Sequence, residues 1–146
     1  YISRFFFGFK MIKSITNSVV PESQRMAVVN KLFGIQYVLV LEPAVFRFAE
    51  TLAPKYSGGF WNFYEGSNGL FYMAPRSDKT FAVSCENGYE GRLSADALGI
   101  VACLYAFSNL SFGDDEFAET CAEHFHSLRE FAMEHPEARA ILRATD

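Results

Sequence analysis

The sequence predicts an α+β domain in which a small antiparallel meander of three or four strands packs against several helices. Three observations carry this. Apolar residues near both ends of the chain recur at spacings of three and four, as one face of a helix requires. The middle changes to short β-type runs separated by Asn-Gly pairs, the signature of tight hairpin turns. The order of helices, then strands, then helices argues against alternating βαβ units.

The elements follow in order. Pro21 fits the first turn of a helix, where a missing N–H costs nothing, and Gly34 fits its stop. Between them Met26, Val29, Leu32 and Phe33 share a face, which predicts a helix over about 21–33. Gln36 to Leu41, rich in Val, Leu and Tyr, reads as a short buried strand or an extended lead-in. Glu42-Pro43 opens a second helix, with Glu42 complementing the positive N-terminal dipole. Val45, Phe46, Phe48, Ala49 and Leu52 form its apolar side, and Pro54 ends it.

Four strands come next. Phe60 to Tyr64 is followed by the Gly66-Ser67-Asn68-Gly69 turn and a return strand over Leu70 to Ala74, stopped by Pro75. Thr80 to Cys85, the Asn87-Gly88 turn and Tyr89 to Leu93 supply the rest. Ser94 is a good N-cap. Ala97 to Phe107 holds no charge, and a helix apolar all round is buried. It is too short to span a bilayer, so it predicts a central helix packed on the sheet. Asp114 caps a long amphipathic helix over about 115–134, and Pro136 opens a terminal turn or helix.

Bulk composition bounds the function. The 146 residues fit one domain, with half of them apolar and only 21% charged, so the chain can bury a true core. Phenylalanine occurs 16 times, and most of these large rings must be covered by a core or an interface. The three cysteines, Cys85, Cys103 and Cys121, are odd in number and widely spaced, which fits free buried thiols and a cytoplasmic setting. The net charge of −4 is unevenly spread: residues 1–113 balance to +2 and residues 114–146 to −6. No basic footprint for nucleic acid emerges, so direct nucleic-acid binding is not expected. No stretch predicts a membrane span.

Residues 1–19 read as an N-terminal extension and 20–146 as a single domain. Residue 1 is Tyr, and the opening Tyr1 to Lys10 holds four Phe and two basic residues. Met11 reads as a candidate start that leaves residues 1–10 upstream; the alternative is a segment packed on the core through its Phe rings.

The long helix carries the most conspicuous surface. At 100° per residue, Glu116, Glu119, Glu123, Glu130 and Glu134 fall on one face, and Phe117, Cys121, Phe125, Leu128 and Ala132 on the other. The carboxylate row extends over roughly 27 Å. It reads either as a solvated helix face or as a surface that imitates phosphates or docks a basic partner.

The motifs for chemistry do not assemble. Cys121 and His124 share a helix face, but His126 points about 160° from Cys121, so one metal cannot take all three from a continuous helix. His124 reads as a core-edge residue, His126 as a surface one, and His135 as a partner for helix C-terminal carbonyls. Ser57-Gly58-Gly59 lacks the Lys-Ser/Thr of a phosphate-binding loop. It fits a bend in which the backbone passes close to a neighbour. Catalytic, cofactor-binding and metal-binding residues are therefore not assigned. The aromatics of Tyr56 to Asn68 are either core and turn residues or an exposed interaction patch.

Several runs nonetheless form a recognisable pattern. They are Val20-Pro21-Glu22-Ser23-Gln24-Arg25, Leu41-Glu42-Pro43-Ala44-Val45-Phe46, Tyr56-Ser57-Gly58-Gly59-Phe60-Trp61-Asn62-Phe63-Tyr64 with Ser67-Asn68-Gly69, Phe71-Tyr72-Met73-Ala74-Pro75, Ser94-Ala95-Asp96-Ala97-Leu98-Gly99-Ile100 and His135-Pro136-Glu137-Ala138. In this order the chain resembles the ArdB/KlcA family of antirestriction proteins from about Val20 to Asp146. The resemblance implies a small α+β fold and a bacterial cytoplasmic protein of a plasmid or other mobile element. It also implies that the protein shields incoming DNA from type I restriction-modification enzymes by non-catalytic binding to a protein component or its DNA-bound assembly. The alternatives are an acidic mimic of DNA and an unrecognised small enzyme. The residues expected to carry interaction are Tyr56, Gly58, Gly59, Trp61, Tyr64, Asn68, Glu116, Glu119, Glu123 and Glu130.

Overall fold

The computed structural model describes residues 14–146; the Met11 start and the reading of residues 1–10 lie outside them. Strand β1 (Asn17–Val19) leads through a 3-10 turn, Glu22–Gln24, into α1 (Arg25–Phe33). A π-helical turn, Tyr37–Leu41, runs directly into α2 (Glu42–Leu52). Four strands follow: β2 (Trp61–Gly66), β3 (Phe71–Pro75), β4 (Thr80–Ser84) and β5 (Glu90–Ser94). Helices α3 (Ala95–Leu110), α4 (Glu116–Met133) and α5 (Ala138–Thr145) complete the chain.

The α+β class and the antiparallel pairings are as the sequence predicts. The strands, however, divide into two sheets, β1-β2-β3 and β4-β5, instead of forming one meander. The reason lies at the outer edge of β3. The bonds Gly66 N–H to Leu70 O and Arg76 N–H to Phe60 O fix the phase of the β2–β3 ladder. Met73 and Pro75 therefore turn their backbone away from β2. Helix α3 takes that edge: Cys103 Sγ accepts from Met73 N–H at 3.5 Å and lies 3.6 Å from Met73 O. Pro75 has no N–H to leave unpaired. With its edge occupied by a helix, β3 cannot pair with β4.

Glycine makes this approach possible. A Cβ on Gly99 would collide with Met73 O and Ala74 Cβ, and would sit 2.5 Å from Ala74 Cα. All of β3 is buried, as is most of α3. Phe33, Tyr37, Phe63 and Phe71 fill the opposite side of the hairpin with mutual edge contacts at 5.4–6.4 Å.

Further expectations are corrected. Gln36 to Leu41 is helical, because Gly34 (φ 63°) ends α1 and the chain re-enters the αR region at Gln36. Only Tyr37 and Leu41 of the turn are buried, one helical step apart, whereas Val38 and Leu39 face outward. The N-cap of α4 is Asp115, whose Oδ1 accepts from Ala118 N–H at 2.9 Å, one residue beyond Asp114. His135 does not meet helix carbonyls: its Nε2 lies 2.8 Å from Asp96 Oδ2 and its Nδ1 accepts from Glu137 N–H at 2.9 Å. On α1, Val29 and Phe33 are buried as expected, but Met26 is exposed. Strand β1, which the sequence reading did not place, pairs Ser18 with Glu65 and Val19 with Tyr64.

His124 is buried deeper than the core edge. It lies against Phe33 and Phe107, with centroids at 4.7 and 5.5 Å, and Nδ1 has no protein partner. Burial holds its pKa down to about 4.

Two outcomes follow. Gly99→Ala gains helix propensity of about 1 kcal/mol but overpacks a backbone contact, for a net loss of roughly 2 kcal/mol in urea unfolding. Ala74→Gly added to it restores only part of the loss, because the Met73 carbonyl remains in the way. The second outcome concerns pH. The unfolded chain takes up the His124 proton near pH 6.5 and the folded one near 4, so between these values protonation favours unfolding. Stability falls by up to about 3 kcal/mol across that window on account of this residue. His124→Phe flattens the fall in stability between pH 6.5 and 4, so the wild-type-minus-variant difference carries the slope; an unchanged pH slope in the variant would exclude this origin.

Candidate interaction surface

Strand β2 alternates. Trp61 and Phe63 face the core, whereas Phe60, Asn62 and Tyr64 fall on the other face beside Tyr72, Ala74 and Arg76 of the return strand. Tyr64 stacks on Tyr72 at 4.7 Å with rings 12° from parallel. Tyr72 Oη donates to Asp96 Oδ1 at 2.8 Å and accepts from Asn17 Nδ2 at 2.9 Å. Burial and the neighbouring Asp96 carboxylate push the Tyr72 phenol strongly upward, so it stays a donor.

The expected interaction residues divide between the two ends of the β2–β3 hairpin. At the turn end, Asn68 is committed to structure. Its Oδ1 accepts from Leu70 N–H at 3.1 Å, closing the turn, and its Nδ2 donates to Ser127 O at 3.1 Å. A longer contact of 3.4 Å reaches Glu130. Glu116, Glu119, Glu123, Glu130 and Glu134 are all exposed, and none forms an ion pair among the described residues.

At the opposite end, Tyr56, Gly58, Gly59 and Trp61 come together. Trp61 is buried at 5% exposure, and its Nε1–H donates to Tyr56 Oη at 2.5 Å. Tyr56 in turn sets its edge against Phe81 at 6.0 Å. Gly58 and Gly59 are not set by the close neighbour expected from sequence, since a Cβ at either would meet nothing within 4 Å; they are required because φ of 93° and 126° are conformations that L side chains rarely adopt. The aromatic that stands out of this end is Phe60, 78% exposed.

Sequence reasoning missed the surroundings of Phe60. A hollow of about 250 Å³ opens there, lined by Tyr56, Gly58, Gly59 and Phe60 together with Lys55, Arg76 and Lys79. The guanidinium of Arg76 lies 5.8 Å over the Phe60 ring and is held by Asn62 Oδ1 at 2.9 Å and Glu22 at 3.1 Å. The period-2 alternation was the available signal, since it puts Phe60 on the face of Asn62 rather than of Trp61.

The cysteines and two of the three histidines are enclosed or engaged, whereas His126 is exposed. All three cysteines are buried, and burial pushes the Cys103 and Cys121 thiols up to about 12. Both nitrogens of His135 are engaged, and its carboxylate partner Asp96 also serves Tyr72. Among the described residues no group of three or more His, Cys, Asp or Glu side chains is arranged to hold a metal ion, and no single helix is long and apolar enough to cross a membrane.

Comparison with known proteins agrees with this fold. Residues 54–146 match the antirestriction protein family. Antirestriction protein KlcA of Escherichia coli is 42% identical over 132 residues, covering 87% of this chain and 90% of that protein. The uncharacterized protein YafX of Escherichia coli strain K12 is 41% identical over 136 residues, covering 90% and 88%. A solved structure superposes with a TM-score of 0.85 at 39% identity, over 92% of this chain and 96% of the other. It comes from work on the KlcA and ArdB proteins, which show a novel fold and antirestriction activity against type I DNA restriction systems in vivo but not in vitro. The chain belongs to the antirestriction protein family.

Proposed function

We propose that this protein relieves type I restriction of incoming DNA by binding, without catalysis, a protein component of the restriction-modification system or its DNA-bound assembly. The observation that carries the reading is the shared fold at 39% identity with proteins active against type I systems in vivo but not in vitro. Activity confined to the cell suits an inhibitor that docks on a partner and needs a further cellular component. The protonated, buried thiols, the neutral His124 and the fully engaged His135 support a binding role. The reading places one domain, 20–146, in the bacterial cytoplasm, without a membrane partner or a direct nucleic-acid contact, on a plasmid or other mobile element.

A second reading rests on the exposed carboxylate row of α4, which would imitate DNA phosphates. Five carboxylates are few for that role, and the chain carries a net charge of only −4.

Unmodified phage plated on isogenic hosts tests the first reading. Expression of the protein restores plating on a host with an active type I system and changes nothing on a host with only a type II enzyme. Folded, abundant protein without recovery would sink the proposal. Changing Glu116, Glu119, Glu123 and Glu130 together to Gln leaves the recovery intact under this reading. Loss of recovery with the fold preserved would transfer the activity to acidic mimicry.

A further inference from the structure

The hollow at the start of β2 gathers cations that form no ion pair with the acidic helix among the described residues. Lys55, Arg76 and Lys79 converge on it, and Phe60 offers an exposed ring. Arg76 is partly neutralised by Glu22, whereas Lys55 and Lys79 form no ion pair among the described residues. Asp78 does not line the hollow; with Asp96 it lines a neighbouring depression that shares Pro75, Arg76 and Ser77 with it. Among the described residues, the hydrogen bond from an α4 carboxylate to the hairpin is that of Glu130 with Asn68, about 20 Å from the hollow by the rise of six strand residues.

We propose that this hollow docks a short acidic segment of a protein partner that also carries an apolar side chain. The carboxylates meet Lys55 and Lys79, with Arg76 braced behind them, and the apolar group packs on Phe60. An exposed aromatic beside arginine is the composition of an interface anchor. The charge of the whole molecule selects a short segment over nucleic acid. A duplex brings a charge every 1.7 Å and would extend past three cations onto a surface whose last 33 residues balance to −6. A peptide a few residues long needs only the local cations. This gives chemistry to the partner surface of the function proposed above and rests on it for the partner's identity, not for the binding.

The probe is a short fluorescein-labelled peptide of glutamate and leucine, titrated into the full chain and followed by anisotropy. Binding that weakens with added salt is expected, with no binding of the Gln-for-Glu peptide. Lys55→Glu with Lys79→Glu weakens it by at least about tenfold, and Phe60→Ser by about tenfold. All three side chains are exposed, so circular dichroism of the variants should match the parent. Reversal of two distant cations, Lys31→Glu with Arg139→Glu, leaves the affinity unchanged. A peptide that does not bind, or that binds the Lys55/Lys79 variant equally well, overturns the proposal. So does a single-stranded oligonucleotide of equal charge binding where the peptide fails. In plating, the Phe60/Lys55/Lys79 variant loses protection that the parent protein gives; equal protection by both removes the hollow from the partner surface. Failure of the parent protein to protect would instead count against the function above and leave the peptide result standing.

Discussion

The close seat of α3 on the outer edge of β3 is the constraint on which the rest of the structure depends. A helix of 16 residues, nearly all apolar, cannot face water on any side, and β3 cannot leave Met73 without partners in a dry environment. Each solves the other's problem only if their backbones come closer than two side chains permit. Gly99 removes one side chain, and Ala74 supplies a small one in front of it. Cys103, one turn further along α3, then reaches the Met73 peptide groups that a neighbouring strand would otherwise satisfy. Sulfur is a weak partner, so burial of both elements, rather than these bonds, supplies most of the stabilisation.

Polar side chains set the angles of the remaining elements around that seat. At the N-terminus of α3, Ser94 Oγ caps Ala97 N–H, and both the hydroxyl and the backbone N–H of Ser94 donate to the Glu137 carboxylate. Asp96, two residues on, joins Tyr72 of β3 to His135 after α4. A carboxylate, an imidazole and a phenol so arranged resemble a catalytic relay. Here every atom that could exchange a proton already has a fixed protein partner, and the group ties three elements together. Asn87, in the β4–β5 turn, donates to the carbonyls of Arg143, Ala144 and Asp146 and holds the C-terminus in the same way.

The sequence was legible where one local rule decided the outcome. Hairpins at Asn68-Gly69 and Asn87-Gly88, the cap at Ser94 and the uncharged run of α3 each follow from a few neighbouring residues. It was misleading where tertiary packing chose between local options. Tyr37 to Leu41 has β-type composition, yet Gly34 redirects the chain and the buried pair Tyr37 and Leu41 requires helical spacing. The division into two sheets was hidden because the partner of β3 is a helix, and Gly99 reads from sequence only as a weak point in that helix. At the candidate surface, Trp61 stands among the expected interaction residues, but strand phase turns it inward and leaves Phe60 outside. The cations around Phe60 come from positions 55, 76 and 79, and only the fold brings them together.

The hairpin, bonded at both ends, separates two surfaces of opposite charge. Its turn is bonded to α4 through Asn68 and Ser127, so the acidic row cannot shift without disturbing the turn. Its other end is fixed by the Trp61–Tyr56 bond and by Arg25, which donates to Trp61 O at 2.8 Å and lies over Phe63 at 4.7 Å. Between them β3 is locked against α3 at Gly99. A protein with one cationic, aromatic end and one anionic face on such a hairpin presents a polarised surface rather than a uniformly acidic one. At a Debye length of about 8 Å, Glu130 at the turn end, roughly 20 Å along the hairpin, is largely screened from the cations at the other end.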